Sequence, residues 1–346
     1  VPLLSIREAV PLAPLTTFGI GGPAHAFASI TSEAQIPEAL DYAAARSLPV
    51  FILGGGSNLL VPDTGYPGLI VHMQIPGIEG LGSGLFAAGA GVPWDDLVNA
   101  ALAADCAGLE CLAGIPGTTG GTPVQNVGAY GQEVAQTITT VRAFDRQTLA
   151  FIDLPAVACN FRYRASLFNT DQRNRYIVTR VTFQLHLQGS PTLKYADLAR
   201  HFAGQPKPSL TEVAAAVREI RHSKGMLLVA GDPDTRSAGS YFKNPIVPRS
   251  TLEQIARAAG LPIDKIPHWP VENHLVKLPA AWLLEQSGFL KGYGEGRAGI
   301  STRHTLAVIN RGRATFADLE YLESEIRAGV QKKFAITLER EPVLLT

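Results

Sequence analysis

Residues 113–131, AGIPGTTGGTPVQNVGAYG, limit what this chain can become more than any other stretch. Six of those nineteen positions are glycine, where 34 glycines in 346 residues would give about two. No side chain in the segment is charged, yet Thr118, Thr119, Thr122, Gln125, Asn126 and Tyr130 supply hydrogen-bonding groups. Glycine permits positive φ and close backbone approach, and bare N–H groups in such turns form concavities that bind phosphate. A neutral, polar, glycine-dense loop suits a large dinucleotide better than a packed core. A long glycine-rich surface loop is the alternative.

The rest of the composition narrows the class. A chain of 346 residues exceeds a typical single domain, so two or three are expected. A hydrophobic share of 46% with 17% charged residues describes a soluble globular protein with ample core. Thirty basic and thirty acidic side chains give zero net charge, which argues against a broad nucleic-acid surface and leaves a local basic pocket open. Cys106, Cys111 and Cys159 form no CxxC pair, and their odd number does not suggest a disulfide framework. The eight histidines show no HxH or HExxH spacing, so no metal site is expected. No apolar run reaches the ~18 residues of a membrane span. The opening VPLLSIREAV lacks the basic region and long apolar run of a signal peptide. The expectation is a cytoplasmic enzyme that binds neither nucleic acid nor membrane.

Periodicity places the motifs. Helices are expected at 32–46, 94–107, 211–222, near 251–259 and 279–287, and over 315–334. Strands are expected at 50–53, 68–73, 85–92, 139–145, 149–154, 305–310 and 336–345. The clearest strand is 176–187, YIVTRVTFQLHL, alternating and rich in β-branched residues. Pro191, Pro206 and Pro208, with Gly189 and Gly204, mark 188–210 as a domain junction. The picture is two α+β nucleotide-binding lobes followed by a mixed substrate lobe.

Gly54-Gly55-Gly56-Ser57-Asn58 follows a strand, so it must be tested as a dinucleotide fingerprint, and it fails. Leu59 stands where the third glycine belongs, and Pro62-Asp63 leads into another turn where a helix should start. No Lys-Ser/Thr follows either, which excludes a P-loop. What remains is a loop of bare N–H groups, a hydroxyl and an amide, able to hold pyrophosphate without a helix N-terminus. Thr17-Phe18-Gly19-Ile20-Gly21-Gly22 reads equally as a tight turn or a ligand contact. Arg164, in CNFRYRASLF, needs an anionic partner, structural or substrate, because burying an unpaired charge is costly. Ser240 lies between Gly239 and two aromatics, able to present its hydroxyl into a pocket or simply to turn the chain. It is no nucleophile elbow, since Phe242 replaces the second glycine. Near the C-terminus, alternation puts Glu339 and Glu341 on one face and Arg340 on the other.

Taken together, TTFGIGGPA, LGGGSNLLV, AGIPGTTGGTPVQNVGAYG, FRYRASLF, LKYADL, REIRHSK, AGSYFKNP, VKLPAAWLLEQSG and RHTLAVIN resemble the UDP-N-acetylenolpyruvoylglucosamine reductases (MurB) of bacterial wall synthesis. The resemblance spans nearly the whole chain in order and spacing. It implies an α+β protein: a two-lobed FAD-binding fold of the vanillyl-alcohol-oxidase type, with a C-terminal α+β substrate domain. The lobes are expected at 1–72 and 73–205, and the substrate domain at 206–346, its last strand returning to the active site. Bound FAD is implied on Gly54, Gly55, Gly56, Ser57 and Asn58, and on Gly114, Ile115, Pro116, Gly117, Thr118, Gly120, Gly121, Gln125, Asn126, Gly128, Ala129 and Tyr130.

In the implied reaction NADPH, the hydride donor, reduces FAD and leaves before UDP-N-acetylglucosamine enolpyruvate enters. Hydride then reaches the terminal vinyl carbon, and a proton on the neighbouring carbon completes UDP-N-acetylmuramate. Ser240 matches the proton donor, Arg164 the residue that binds the carboxylate, and Glu341 the third catalytic position. Tyr163, Tyr195, Lys224, Asn244, Lys277 and His304 match substrate contacts. Tyr195, inside LKYADL, and the chain length favour the longer subgroup, in which a tyrosine loop covers the substrate. A monomer serving wall biogenesis, cell shape and cell division is the matching expectation. One departure matters: the family commonly has Leu-Glu-Pro-Glu-Val where this chain has Leu-Glu-Arg-Glu-Pro, which keeps Glu339 as the alternative to Glu341. The competing readings are an oxidase of the same fold, which would pass electrons to oxygen, and a flavin-binding protein without turnover.

Overall fold

Parallel pairing organises the first part of the chain. The structure, a computed structural model, describes residues 3–346, so the first two positions of the expected first lobe lie outside it. Strands Pro23–Ile30 and Val50–Leu53 both pair in parallel with Tyr66–Met73, and Ile6–Pro11 completes a four-stranded sheet. Leu69, Ile70 and Val71 in the middle strand are fully buried, as expected of parallel strands covered on both faces. Helix Gln35–Ala45 places Ile36, Ala39 and Ala43, at three- and four-residue spacing, in the same core.

A second sheet is antiparallel, ordered Ala150–Pro155, Ile138–Asp145, Tyr176–Gln184, Leu85–Gly89 and Ile78–Gly82. Its core receives Trp94, Leu97, Val98 and Ala101 from helix Trp94–Ala103, and Val213, Ala214, Ala216 and Val217 from helix Leu210–Ser223. These two cores lie in one compact unit, made of the residues up to Val10, Ala24–Gly56 and Tyr66–Ser223.

The second unit comprises Pro11–Pro23, Ser57–Gly65 and Lys224–Thr346. Its core gathers Leu252 and Ile255 of helix Thr251–Ala259, Leu283 and Leu284 of helix Ala280–Gln286, and Leu319, Ile326 and Val330 of helix Phe316–Phe334. The long helix starts at a capping box. Thr315 Oγ1 accepts from the Asp318 N–H at 3.2 Å while Asp318 accepts from the Thr315 N–H at 2.8 Å. Asp63 accepts a further orphan N–H, from Phe316, at 2.9 Å. Val343–Leu344 pairs in parallel with Leu59–Leu60, joining the chain's last strand to a segment near its start.

Several sequence expectations shift. Helix 94–107 stops at Ala103, because Asp105 takes a left-handed φ of 52° and Cys106–Ala107 becomes a strand pairing with His186–Leu187. The strand expected over 336–345 is reduced to Val343–Leu344 and one bridge at Arg340. The strand expected over 305–310 is Val308–Asn310 alone. The proline-rich junction at 188–210 does not end the first unit. Helix Leu210–Ser223 buries its apolar face in the antiparallel-sheet core, so the chain leaves that unit only after Ser223. Segments 11–23 and 57–65 also join the second unit, so divisions at 72 and 205 do not describe the compact units.

Glu110, 1% exposed, anchors the loop that leads to Tyr195. It accepts from the N–H groups of Gly108 and Thr192, at 2.7 and 2.9 Å, and from Gln132 Nε2 at 2.7 Å. Replacing Glu110 by Ala removes the acceptor of one buried donor, Gln132 Nε2, and of two half-buried backbone N–H groups, so the urea midpoint of Glu110→Ala is expected to correspond to a loss of about 3 kcal/mol. An unchanged midpoint would remove Glu110 from the fold's supports.

Candidate functional site

Both glycine loops contribute to one surface of the first unit. A Cβ on Gly55 would stand 2.6 Å from Gly117 Cα, and one on Gly54 would stand 2.9 Å from Thr118 Oγ1. Only glycine allows the two loops to approach so closely. The N–H groups of Gly55, Gly56, Gly117 and Thr118 donate to no other group among the described residues, and the buried hydroxyl of Thr118 likewise has no partner there. Four backbone donors and a hydroxyl left without partners where two uncharged loops meet are suited to an anionic group such as a diphosphate.

Neighbouring residues hold the longer loop in shape. The Gly114 N–H donates to Asp95 Oδ1 at 2.7 Å, and its carbonyl accepts from Arg221 Nε at 3.1 Å. Asp95 is held in turn by Arg218 Nη2 at 2.9 Å and Nε at 3.3 Å. Arg218 and Arg221 project from one face of helix Leu210–Ser223 while its apolar face fills the core. Sequence reasoning missed this brace; the three-residue spacing of two arginines on an amphipathic helix was the available signal. Within the loop, Thr119 N–H and Gly120 N–H donate to the carbonyls of Val92 and Ala90. Asn126 is buried in a left-handed conformation and engages Glu133, the Arg162 carbonyl and the Ala135 N–H. Its amide therefore builds the loop, and so do the Gly120 and Gly121 N–H groups.

Arg164 sits at the tip of a tight turn closed by reciprocal hydrogen bonds between Arg162 and Ala165, at 2.8 and 3.1 Å. Its φ of 54° is a position that turns usually give to glycine, so the fold holds this arginine against its backbone preference. Such outliers concentrate at functional sites. The guanidinium lies 5.3 Å from the Tyr163 ring and donates through Nη2 to the Gly128 carbonyl at 3.0 Å. Tyr130 packs edge-on against Tyr195 with ring centroids 5.1 Å apart. The first unit thus brings Tyr163, Arg164, Gly128, Tyr130 and Tyr195 to the same loop.

The second unit gathers a different set. The Tyr241 N–H donates to the Leu306 carbonyl at 2.8 Å, and the Glu341 N–H donates to the Tyr241 carbonyl at 2.9 Å. The Lys243 N–H donates to the Glu339 carbonyl at 2.9 Å, and Phe242 bridges Arg340 in antiparallel sense. The segment after Ser240 is therefore laced to the segment around Glu341. Asn58 accepts from the Val343 N–H through its carbonyl at 2.9 Å and reaches the Glu341 carbonyl through Nδ2 at 3.5 Å. Glu339 is exposed and ion-paired with Lys243. Asn244 Oδ1 caps helix Ala280–Gln286 by accepting from the Ala280 N–H at 2.9 Å. Lys277 stands 5.6 Å from the Trp269 ring.

His304 Nδ1 accepts from the Leu306 N–H at 3.0 Å, so the ring proton is on Nε2. Burial, followed by the ammonium groups of Lys224 and Lys291, pushes its pKa down to about 4. The ring is neutral at pH 7. An unfolded chain takes up this proton first as pH falls, so the folded state loses stability through the window from about 6.5 to about 4. The drop in unfolding midpoint across that window is expected to be smaller in His304→Asn than in the parent; equal drops would show the histidine is not perturbed.

Among the described residues there is no cluster of His, Cys, Asp or Glu able to hold a metal ion, and no helix is long and apolar enough to cross a membrane. Residues 24–148 match the FAD binding domain family, and 232–345 match the UDP-N-acetylenolpyruvoylglucosamine reductase C-terminal domain. Over 340 residues the chain is 45% identical to the UDP-N-acetylenolpyruvoylglucosamine reductase of Streptomyces avermitilis, covering 96% of this chain and 93% of the relative. It is 42% identical to that of Thermobifida fusca, covering 99% and 98%. A crystal structure of the Thermus caldophilus reductase, 26% identical, superposes with a TM-score of 0.67 over 99% of both chains. The nest of bare N–H groups and the orphaned Thr118 hydroxyl fit FAD. Gly55→Ala, which drives a methyl into Gly117, and Thr118→Val, which removes the hydroxyl, are each expected to weaken FAD by about tenfold or more in a fluorescence titration. Parental affinity in both would place the flavin elsewhere.

Proposed function

The chain belongs to the UDP-N-acetylenolpyruvoylglucosamine reductase family, and from that premise we propose how its own residues carry the reaction. It is an FAD-dependent oxidoreductase that converts UDP-N-acetylglucosamine enolpyruvate to UDP-N-acetylmuramate with NADPH, a step of peptidoglycan precursor synthesis. When bound, FAD supplies the two-electron relay between NADPH and the enolpyruvyl double bond. Gly55, Gly56, Gly117 and Thr118 would hold its diphosphate through their N–H groups, on a loop braced by Asp95, Arg218 and Arg221.

Addition at the terminal vinyl carbon leaves negative charge on the neighbouring carbon and its carboxylate. Arg164 is the group we assign to that carboxylate. The strained turn and the Gly128 carbonyl fix its guanidinium before substrate arrives, and preorganised donors of this kind contribute on the order of 3–4 kcal/mol to a barrier. Ser240 donates its hydroxyl proton to the electron-rich carbon. A serine is a weak acid, but a carbanion-like centre is basic enough to take its proton at close range. Glu341 assists this proton transfer. Its backbone bond to Tyr241 supports that assignment, as does the diversion of Glu339 to Lys243 on the exposed side.

Tyr163 and Tyr195 with the first unit, and Lys224, Asn244, Lys277 and His304 with the second, are the proposed contacts to the sugar nucleotide. The lysines carry charge suited to a diphosphate, and neutral His304 can donate from Nε2. We also infer a monomeric, cytoplasmic enzyme whose product feeds wall growth, cell shape and division.

The carrying observation is Arg164, an arginine held in a glycine-like turn beside the flavin loop. Anaerobic stopped-flow spectroscopy tests the assignments. Ser240→Ala and Arg164→Ala are expected to keep NADPH-driven bleaching of the flavin while its recovery with the enolpyruvyl sugar nucleotide slows by about a hundredfold or more. Normal recovery in Ser240→Ala would take the serine out of the mechanism. Glu341→Gln is expected to slow recovery and Glu339→Gln to leave it near normal; the reverse result would move the role to Glu339.

A further inference from the structure

Helix Phe316–Phe334 turns Leu319, Leu322, Ile326 and Val330 into the second unit's core, and one charged side chain lies on that same face. Glu323 is 6% exposed. An ionised carboxylate in such a place is retained only where partners hold it, and its partners are specific. Oε2 accepts from the Tyr241 hydroxyl at 2.8 Å. The same oxygen pairs with Arg340 Nη1 at 3.5 Å, an ion pair without hydrogen-bond geometry. Oε1 accepts from Arg327 Nη1 at 3.3 Å, one turn along the helix.

Tyr241 directly follows Ser240, and Arg340 directly precedes Glu341. The two segments are laced by the Glu341 N–H to Tyr241 carbonyl bond and the Phe242–Arg340 bridge. The bridge sets Phe242 opposite Arg340, and one buried carboxylate holds a residue from each segment: Tyr241, next to Ser240, and Arg340, next to Glu341. The backbone that presents Ser240 and Glu341 is thereby tethered at the position adjoining each of them. Burial, and after it the Glu323 carboxylate, also pushes the Tyr241 phenol up, so the hydroxyl keeps its proton and remains a donor.

We propose that Glu323 is a positioning residue for proton delivery: by holding Tyr241 and Arg340 it sets Ser240 and Glu341 in fixed register with each other. It touches no reacting atom, and its action is felt only through those two residues. The proposal rests on the assignment of Ser240 and Glu341 made above.

The test uses the FAD-loaded enzyme in anaerobic stopped flow, in H2O and D2O. In Glu323→Ala the flavin is expected to be bleached by NADPH at the parental rate. Its recovery with UDP-N-acetylglucosamine enolpyruvate is expected to slow by about tenfold, with KM for the sugar nucleotide within about threefold of the parent. The solvent isotope effect on recovery should rise, because a displaced donor makes proton transfer limiting. Glu323→Gln still offers an oxygen to the Tyr241 hydroxyl and should recover faster than Glu323→Ala. Tyr241→Phe should reproduce the slowed recovery and larger isotope effect, and it serves in place of Glu323→Ala should that variant not fold.

Adding Glu323→Ala to Ser240→Ala should slow recovery no further than Ser240→Ala alone, since a positioning residue has nothing left to position. Loss of both half-reactions together with an unchanged isotope effect would reduce Glu323 to a support of the fold and overturn the proposal. So would parental recovery in Glu323→Ala and Tyr241→Phe while Ser240→Ala is slow, and that outcome leaves the serine assignment standing. Parental recovery in Ser240→Ala would overturn the serine assignment itself, and the proposal with it.

Discussion

Two glycine loops in the first unit approach to where a single added methyl would overlap backbone atoms, Gly55 against Gly117. Everything proposed for the flavin depends on that approach, because it brings together the N–H groups of Gly55, Gly56, Gly117 and Thr118, which donate to no other group among the described residues. Such an arrangement is entropically expensive, since glycine-rich segments lose more freedom on folding than any other. The surrounding structure supplies the restraint. Asp95 in the first turn of its helix takes the Gly114 N–H, Arg221 takes the Gly114 carbonyl, and Arg218 fixes Asp95. In the proposed site, neutral backbone groups face the anion, while the charged residues hold the loop from behind.

The second unit solves a different problem, bringing together residues that are a hundred positions apart in the chain. A backbone ladder between 241–243 and 339–341 does this, and the strand Val343–Leu344 extends it onto Leu59–Leu60. Main-chain bonds are suited to the task because they fix register without regard to side-chain type. Side chains then choose the direction: Tyr241 and Arg340 turn towards Glu323 in the core. Lys243 and Glu339 pair on the outside.

Much of the fold was legible along the chain. The strand 50–53 and the helix 251–259 lie where the sequence placed them, and the helix expected at 315–334 runs over Phe316–Phe334. The two helices carry apolar residues at three- and four-residue spacing, the strand is a short apolar run ending at the glycines, and Thr315 advertises the last helix with a side-chain cap. The misses share a cause. Cys106–Ala107 reads as helix locally and is a strand because His186–Leu187 pairs with it. Helix Leu210–Ser223 follows a proline-rich stretch yet belongs to the first unit, because its alanine and valine face is buried there. Strand Ile6–Pro11 lies mostly exposed at the sheet edge, and little hydrophobic alternation marks it. In each case a long-range contact outweighed what the neighbouring residues favoured.

The sequence by itself determined the chemistry: the glycine loops without a Rossmann helix, the motif order that marks the family, and the residue types of Arg164, Ser240 and Glu341. These are local properties, carried by residue identity and short spacing. Only the tertiary structure decided which N–H groups stay free for a ligand, that Asn126 serves its own loop, and that Arg164 occupies a left-handed turn. It also decided that Glu339 is paired away and that one buried carboxylate holds both Tyr241 and Arg340, the chain neighbours of Ser240 and Glu341. Those facts depend on which distant groups share the same few ångströms, and burial together with hydrogen-bond satisfaction settles that only once the chain has closed on itself.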